Sequence, residues 1–305
     1  MVSAGVVVTS DVAVNTVVGG VPVKFIRITM ASDGIVRLSK IEVRPEYLDA
    51  YLKYADIYKL ANAGLAIEKL NQLKTLEPSN TAIDKKLAEI YYLKNDFSKA
   101  ADAYSRFAMG PKANEEDLVR YAFALFLNHD FAKSLEVANM GLKKNPRHAA
   151  FNRLAMYNNT DLKRFEEALK AADVFFNECD KADYSYLDYM YYGHLLEELK
   201  KYDEAVGQYE KAVELDPTKT DLYKNISSAY EQKNDYKKAI SAYQKYYSSL
   251  DKEKQTPDLQ FQFGRLYYGA GTQPDSLAIT VEERKQALMS ADSTFHAIAE
   301  AAPDS

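Results

Sequence analysis

The chain has no tryptophan, one cysteine and four histidines, and each shortage removes a class of function. A lone thiol, Cys179, forms no internal disulfide, and the paired Cys and His ligands of a structural zinc site are missing. His129, His148, His194 and His296 stand far apart, none with a second ligand three or four residues away, so they read as surface or groove residues and no metal is expected. Excess positive charge is lacking too. Against 44 Asp and Glu there are 39 Lys and Arg, a net charge of −5, which is the wrong sign for a phosphate backbone as main partner, so nucleic acid is not expected. No apolar run approaches the roughly 18 residues of a membrane-spanning helix, and no membrane span is expected. Residues 1–10 carry no basic side chain and their apolar stretch is soon broken by Thr9, Ser10 and Asp11, unlike a secretion signal. That favours the cytoplasm for the chain as given, with the periplasm open if the native amino terminus lies further upstream.

Catalytic constellations are also wanting. Cys179 is flanked by Glu178 and Asp180, neighbours that disfavour a thiolate nucleophile. The pairs Glu166–Glu167, Glu197–Glu198 and Glu282–Glu283 fall on expected helices, where a solvated face accounts for them. Gly19–Gly20 lacks the lysine and the following helix of a phosphate loop. The sequons at Asn158 and Asn225 also fall within expected helices. No cofactor and no enzymatic activity are expected.

What is present is a soluble folded composition, 47% hydrophobic and 27% charged, arranged in a repeat. The clearest unit runs from Ser185 to Lys219, with Tyr189, Tyr192 and Leu196 at helical spacing, then Tyr202, Ala205, Tyr209, Ala212 and Pro217. Gly193 and Ala205 let two antiparallel helices approach closely, the large residues fill the space between and beyond them, and Pro217 stops the second helix. The small residue recurs at Ala66, Ala100, Ser134, Ala168, Ala205, Ala239 and Ala291, mostly 34 residues apart. Four residues on stand Leu70, Tyr104, Ala138, Ala172, Tyr209, Tyr243 and Phe295. Breakers return at Pro78, Pro111, Pro146, Asp180, Pro217, Asp251 and Pro303. Between helices a polar turn closed by an aromatic repeats as Asn95-Asp96-Phe97, His129-Asp130-Phe131 and Asn234-Asp235-Tyr236.

This pattern resembles the tetratricopeptide repeat, with Tyr192-Gly193 in its Leu-Gly place. The resemblance implies an all-α, right-handed superhelical solenoid of antiparallel helix pairs, preceded here by a short β-rich segment over residues 1–46. About seven units are expected over residues 47–305, starting near 47, 81, 115, 149, 186, 220 and 257. In the fourth, Asn158, Asn159, Thr160 and Asp161 sit where apolar residues belong, so its first helix is expected to be short or distorted. In the seventh, the Gly264 to Ala291 spacing exceeds the family value by 15 residues, and a loop is expected through Gly269, Gly271 and Pro274. Thr280 with Glu283 forms a capping-box pattern that starts the last helix near Val281.

The first fifty residues differ. Residues 3–28 are Val-rich with a six-residue step through Val6, Val12 and Val18, and resemble the last coil of hexapeptide-repeat sugar O-acetyltransferases. Residues 34–55 resemble the first strand and helix of antibiotic-biosynthesis-type monooxygenases. A composite chain, with foreign fragments over 1–29 and 30–55, is one reading of these likenesses; an ordinary β-rich segment capping the solenoid is the other.

The repeat resemblance implies a protein-protein interaction scaffold that holds a peptide or helix on the concave wall of first helices. The expected groove residues are Lys85, Glu89, Tyr92, Phe123, Phe126, Arg153, Tyr157, Met190, His194, Glu197, Lys224, Glu231, Phe261 and Arg265. Their mixture of aromatics and both charge signs suits an extended peptide or a helix as protein ligand. The lysine-asparagine clamp by which some family members hold a chaperone's terminal carboxylate is absent, since Lys85 is followed by Glu89 and Lys224 by Ser228. Two alternatives stand beside the scaffold: an acetyltransferase or quinol-type monooxygenase remnant at the amino end, and a structural spacer in an envelope or secretion assembly.

Overall fold

The computed structural model describes residues 16–18, 21–23, 27–30, 36–39, 48–179, 183–273 and 280–301. Of the two amino-terminal likenesses, over 3–28 and 34–55, residues 3–15, 19–20, 24–26, 34–35 and 40–47 lie outside the described residues, while 48–55 are helical. The described residues before 48 form two antiparallel hairpins, β1 (Thr16–Val18) with β2 (Val21–Val23) and β3 (Arg27–Met30) with β4 (Val36–Ser39), in registers Val17 to Pro22 and Ile28 to Leu38.

Among the described residues after the hairpins the regular elements are all helices, and the chain divides into two compact units, residues 1–145 and 146–305. The first holds α1 (Leu48–Ala61), α2 (Ala63–Leu76), α3 (Thr81–Leu93), α4 (Phe97–Phe107), α5 (Glu115–Leu127) and α6 (Phe131–Lys144). The second holds α7 (Ala149–Asp161), α8 (Phe165–Asn177), α9 (Tyr186–Glu198), α10 (Tyr202–Leu215), α11 (Leu222–Gln232), α12 (Tyr236–Ser249), α13 (Pro257–Gly271) and α14 (Val281–Ala301). Within each unit successive helices pack as adjacent pairs, and each pair packs on the next, as a repeat that cannot bury its own core must.

The periodic small residues make this pairing possible. Ala66, Ala100, Ser134, Ala168, Ala205 and Ala239 are wholly buried, and Ala291 nearly so. In α9, a methyl group added at Gly193 would sit 2.7 Å from the Tyr209 ring of α10, so the glycine's missing side chain is the space the tyrosine fills. Two units replace part of this contact with a hydrogen bond at the same place. Ser134 on α6 donates its hydroxyl to the Ala122 carbonyl of α5, and Ser227 on α11 to the Ala239 carbonyl of α12, both at 2.8 Å. The core of the second unit continues outward from Leu196, Tyr209 and Ile226 to Tyr243, Phe263 and Leu266.

Five turns between paired helices share one backbone solution. Asn95, His129, Lys163, Lys200 and Asn234 all adopt left-handed φ of 58–61°. The residue after each donates its N–H back to the carbonyl five positions earlier, as Asp96 does to Tyr91 and Lys201 to Leu196, which closes the preceding helix. The next helix then starts at once. Asp96, Asp130 and Asp235 accept the backbone N–H of Lys99, Lys133 and Lys238, capping α4, α6 and α12.

Two expectations are corrected. α7 is neither short nor distorted: it runs a full 13 residues, with Asn158, Asn159 and Thr160 buried in it, and Thr160 returns its hydroxyl to the Met156 carbonyl at 2.8 Å. A helix satisfies its own backbone, so polar side chains in its last turn do not end it. Gly269 and Gly271 belong to α13 rather than to a loop; Tyr236 and Leu288 of neighbouring helices fill the space their missing side chains leave. Pro274 lies outside the described residues. The Thr280–Glu283 capping box is present: Glu283 N–H donates to the Thr280 hydroxyl at 3.1 Å and Thr280 N–H to the Glu283 carboxylate at 2.9 Å.

Candidate functional site

Two hollows between neighbouring first helices, one in each unit, gather several of the expected groove residues. In the first unit, Glu89, Tyr92 and Leu93 of α3 join Leu60 of α1 and Phe123 and Arg120 of α5 around a hollow of ≈480 Å³. Its lining is mainly apolar, and Leu60 and Leu93 at its edge are 80% and 50% exposed. The surrounding charges are paired among themselves. Lys86 bonds Asp56 at 2.8 Å and Glu89 at 3.2 Å, and Arg120 bonds Glu116 at 2.5 Å. Burial disfavours the Asp56 carboxylate, but the bond and charge of Lys86 outweigh it and hold its pKa below the ordinary value.

In the second unit, His194 and Glu197 of α9 meet Lys224, Asn225, Ser228 and Gln232 of α11 around a hollow of ≈590 Å³. This one is more polar. Glu197 accepts the Tyr209 hydroxyl at 2.8 Å and the Ser228 hydroxyl at 2.9 Å, which fixes its carboxylate as part of the wall. The Tyr209 phenol is driven well above its ordinary range by burial and by the Glu197 charge. Lys224 lies over the Tyr246 ring, its Nζ 5.3 Å from the centroid, within reach of a cation over an aromatic face.

The remaining expected residues are spent elsewhere. Lys85 reaches Asp117 of the next first helix at 2.7 Å. Arg153 does the same with Asp188, its Nε and Nη2 at 2.6 and 2.9 Å from the carboxylate. Tyr157 is 2% exposed and donates its hydroxyl to Asp188 at 2.7 Å, so it lies inside the array rather than on a wall. Met190 packs against the core, Phe126 against the turn residue Phe131, and Phe261 against Phe295. Arg265 and Glu231 pair with each other at 2.8 Å. Sequence spacing therefore located the first-helix face but not which of its side chains are consumed in joining one repeat to the next. The missed signal was the acid three residues into a first helix, Asn114-x-x-Asp117 and Ser185-x-x-Asp188, whose capping boxes bury a carboxylate that must then find a cation. Leu60, Leu93 and Arg120 were missed for another reason: Leu60 and Leu93 lie at helix ends, beyond the positions that the repeat assigns to a wall, and Arg120 lies mid-helix between two of those positions.

Models of the tetratricopeptide repeat match residues 187–219 and 220–249, the pairs α9–α10 and α11–α12. The chain carries tetratricopeptide repeats. Solved structures share the fold of paired helices over most of the chain. The C-terminal part of a TPR repeat-containing protein from Cytophaga hutchinsonii is similar at a TM-score of 0.60 and 17% identity, over 83% of this chain and 96% of that one. A tetratricopeptide repeat protein from Parabacteroides merdae gives 0.55 and 17%, over 80% and 98%. The Cut9–Hcn1 hetero-tetramer of the APC/C gives 0.54 and 14%, over 71% of this chain and 42% of that one. At such identities the likeness is one of fold. No curated protein matches the chain in sequence. Among the described residues no group of His, Cys, Asp and Glu could hold a metal ion, and no helix is long and apolar enough to cross a membrane.

Proposed function

We propose that this tetratricopeptide array is a protein-interaction scaffold that takes a peptide or helical segment against its first helices. The observation that carries the reading is the first unit's hollow, where exposed Leu60 and Leu93 and half-buried Tyr92 and Phe123 surround a space large enough for an apolar side chain. The repeat match supports it, since this fold builds extended binding surfaces by stacking. One similarly folded neighbour belongs by its description to a hetero-tetramer. The second unit's hollow, with His194, Lys224, Asn225 and Gln232, would then supply polar contacts to a ligand of its own or to a further stretch of the same one.

The reading is tested by crosslinking and pull-down with paired variants. Leu60→Asp with Leu93→Asp alters two exposed positions and leaves the helical fold intact by circular dichroism. A partner bound to the wild-type chain is expected to be lost from this variant, or from His194→Ala with Lys224→Glu if it sits on the second unit. A specific partner retained by both variants would place binding elsewhere and sink the proposal.

A further inference from the structure

The last helix presents a second kind of surface. α14 packs on α13 through Ala291, which is buried, and through the Phe295 ring laid over Gly264. Along the flank of this packed face run Val281, Lys285, Leu288 and Asp292, spaced four, three and four residues apart and so aligned along one stripe, with Met289 beside it; Leu288 rests partly on Gly271 of α13 and is 39% exposed. Val281 and Met289 are 74% and 64% exposed, and with Leu288 they border a shallow, mainly apolar trough. A stripe of this kind needs a cover, and its charges say which cover fits. Lys285 precedes the apolar centre and Asp292 follows it, each at the same distance from the midpoint between Leu288 and Met289. An identical helix laid antiparallel across that midpoint sets Lys285 of one copy opposite Asp292 of the other, twice over, and Leu288 opposite Met289. A parallel copy would set like charges together. Among the described residues Lys285 makes no ion pair, and the Asp292 carboxylate meets only His296 of its own helix at 3.4 Å, both three-quarters exposed.

We propose that the chain self-associates through α14, two copies packing antiparallel about a two-fold axis through Leu288 and Met289. Such a contact is isologous and closes after two copies. One short helical seam is small for an interface, so the dimer is weak, with a Kd on the order of 10 µM or above.

Sedimentation velocity on the full chain over a range of about 1–200 µM tests this. The wild-type chain is expected to shift from monomer to dimer across the range. Met289→Glu, at an exposed position, weakens the dimer about tenfold or more, with unchanged circular dichroism. Lys285→Glu and Asp292→Lys each weaken it, because each sets like charges against one another across the seam. The double variant Lys285→Glu with Asp292→Lys restores it, because the pairs re-form with signs exchanged. A chain that stays monomeric throughout, an association unmoved by Met289→Glu, or a double variant no better than the singles would each overturn the proposal.

Discussion

Asp188 is wholly buried at the start of α9, and its two oxygens accept bonds from Arg153, Tyr157 and the backbone and hydroxyl of Ser185. A carboxylate out of water keeps its charge only with such partners, and the guanidinium is the one that balances it. Arg153 stays charged despite its burial because of the same contact, its pKa raised by Asp188. Arg153→Ala is therefore expected to cost about 3 kcal/mol or more in urea denaturation, since it strands a buried charge. Arg153→Lys keeps the charge but loses one arm of the fork, and should cost clearly less. Lys85, the corresponding clip in the first unit, is a third exposed, so Lys85→Ala should cost less than Arg153→Ala. Equal losses for the two alanine variants would mean that the bidentate clip has no special weight.

At the scale of the element, the turns between paired helices carry an uneven load. Left-handed backbone costs a residue with a side chain about 1–2 kcal/mol relative to its right-handed state, and none of the five turn residues is glycine. Asn95 and Asn234 lessen that cost through their short polar side chains; Lys163 and Lys200 have no such relief. Those same two turns also lack the capping aspartate, having Arg164 and Lys201 where the others have Asp96, Asp130 and Asp235. Lys200→Gly and Lys201→Asp should each stabilise the second unit by about 1 kcal/mol, read as a higher denaturation midpoint with an unchanged slope. A fall in midpoint for Lys200→Gly would show that the lysine side chain makes a compensating contact. This is also where sequence was most informative. The Asn-Asp-aromatic turns and the buried row from Ala66 to Ala291 recur with the period of the fold, because close approach of two helices and reversal between them each allow few residue types. The consumption of Lys85, Arg153 and Tyr157 was not legible, because it depends on contacts between neighbouring repeats some thirty residues apart. Nor was the full length of α7, because its buried Asn158 to Thr160 run reads as a loop unless a helix backbone is already in place.

At the scale of the whole chain, tyrosine takes the part that tryptophan and disulfides play elsewhere: the chain has 24 tyrosines, and among the buried ones Tyr157, Tyr209 and Tyr243 donate their hydroxyls to Asp188, Glu197 and the Leu259 carbonyl. Several cannot ionise in place. Tyr104 in the first unit is pushed up to about 12 by burial, as is Tyr243 in the second. Tyr157, Tyr191 and Tyr209, all in the second unit, are driven higher still by burial together with Asp188, Asp161 and Glu197. A phenol whose folded pKa is raised keeps its proton where the unfolded chain releases it. The folded state then binds more protons, and stability falls as pH rises above the unfolded value near 10. Below that pH the contribution is fully present. Tyr157 and Tyr209, both buried, should each steepen the loss by about 1.4 kcal/mol per pH unit. Because four of the five strongly shifted phenols belong to residues 146–305, that unit is expected to open at lower pH than residues 1–145. Tyrosinate absorbance, free of any tryptophan background, would follow the titration while hydrogen exchange reports which helices open. Tyr209→Phe removes one such proton and should move the alkaline transition of the second unit to higher pH, at the cost of the bond to Glu197. If α1–α6 exchange first, or both units exchange together, buried phenols are not what sets the alkaline limit of this array.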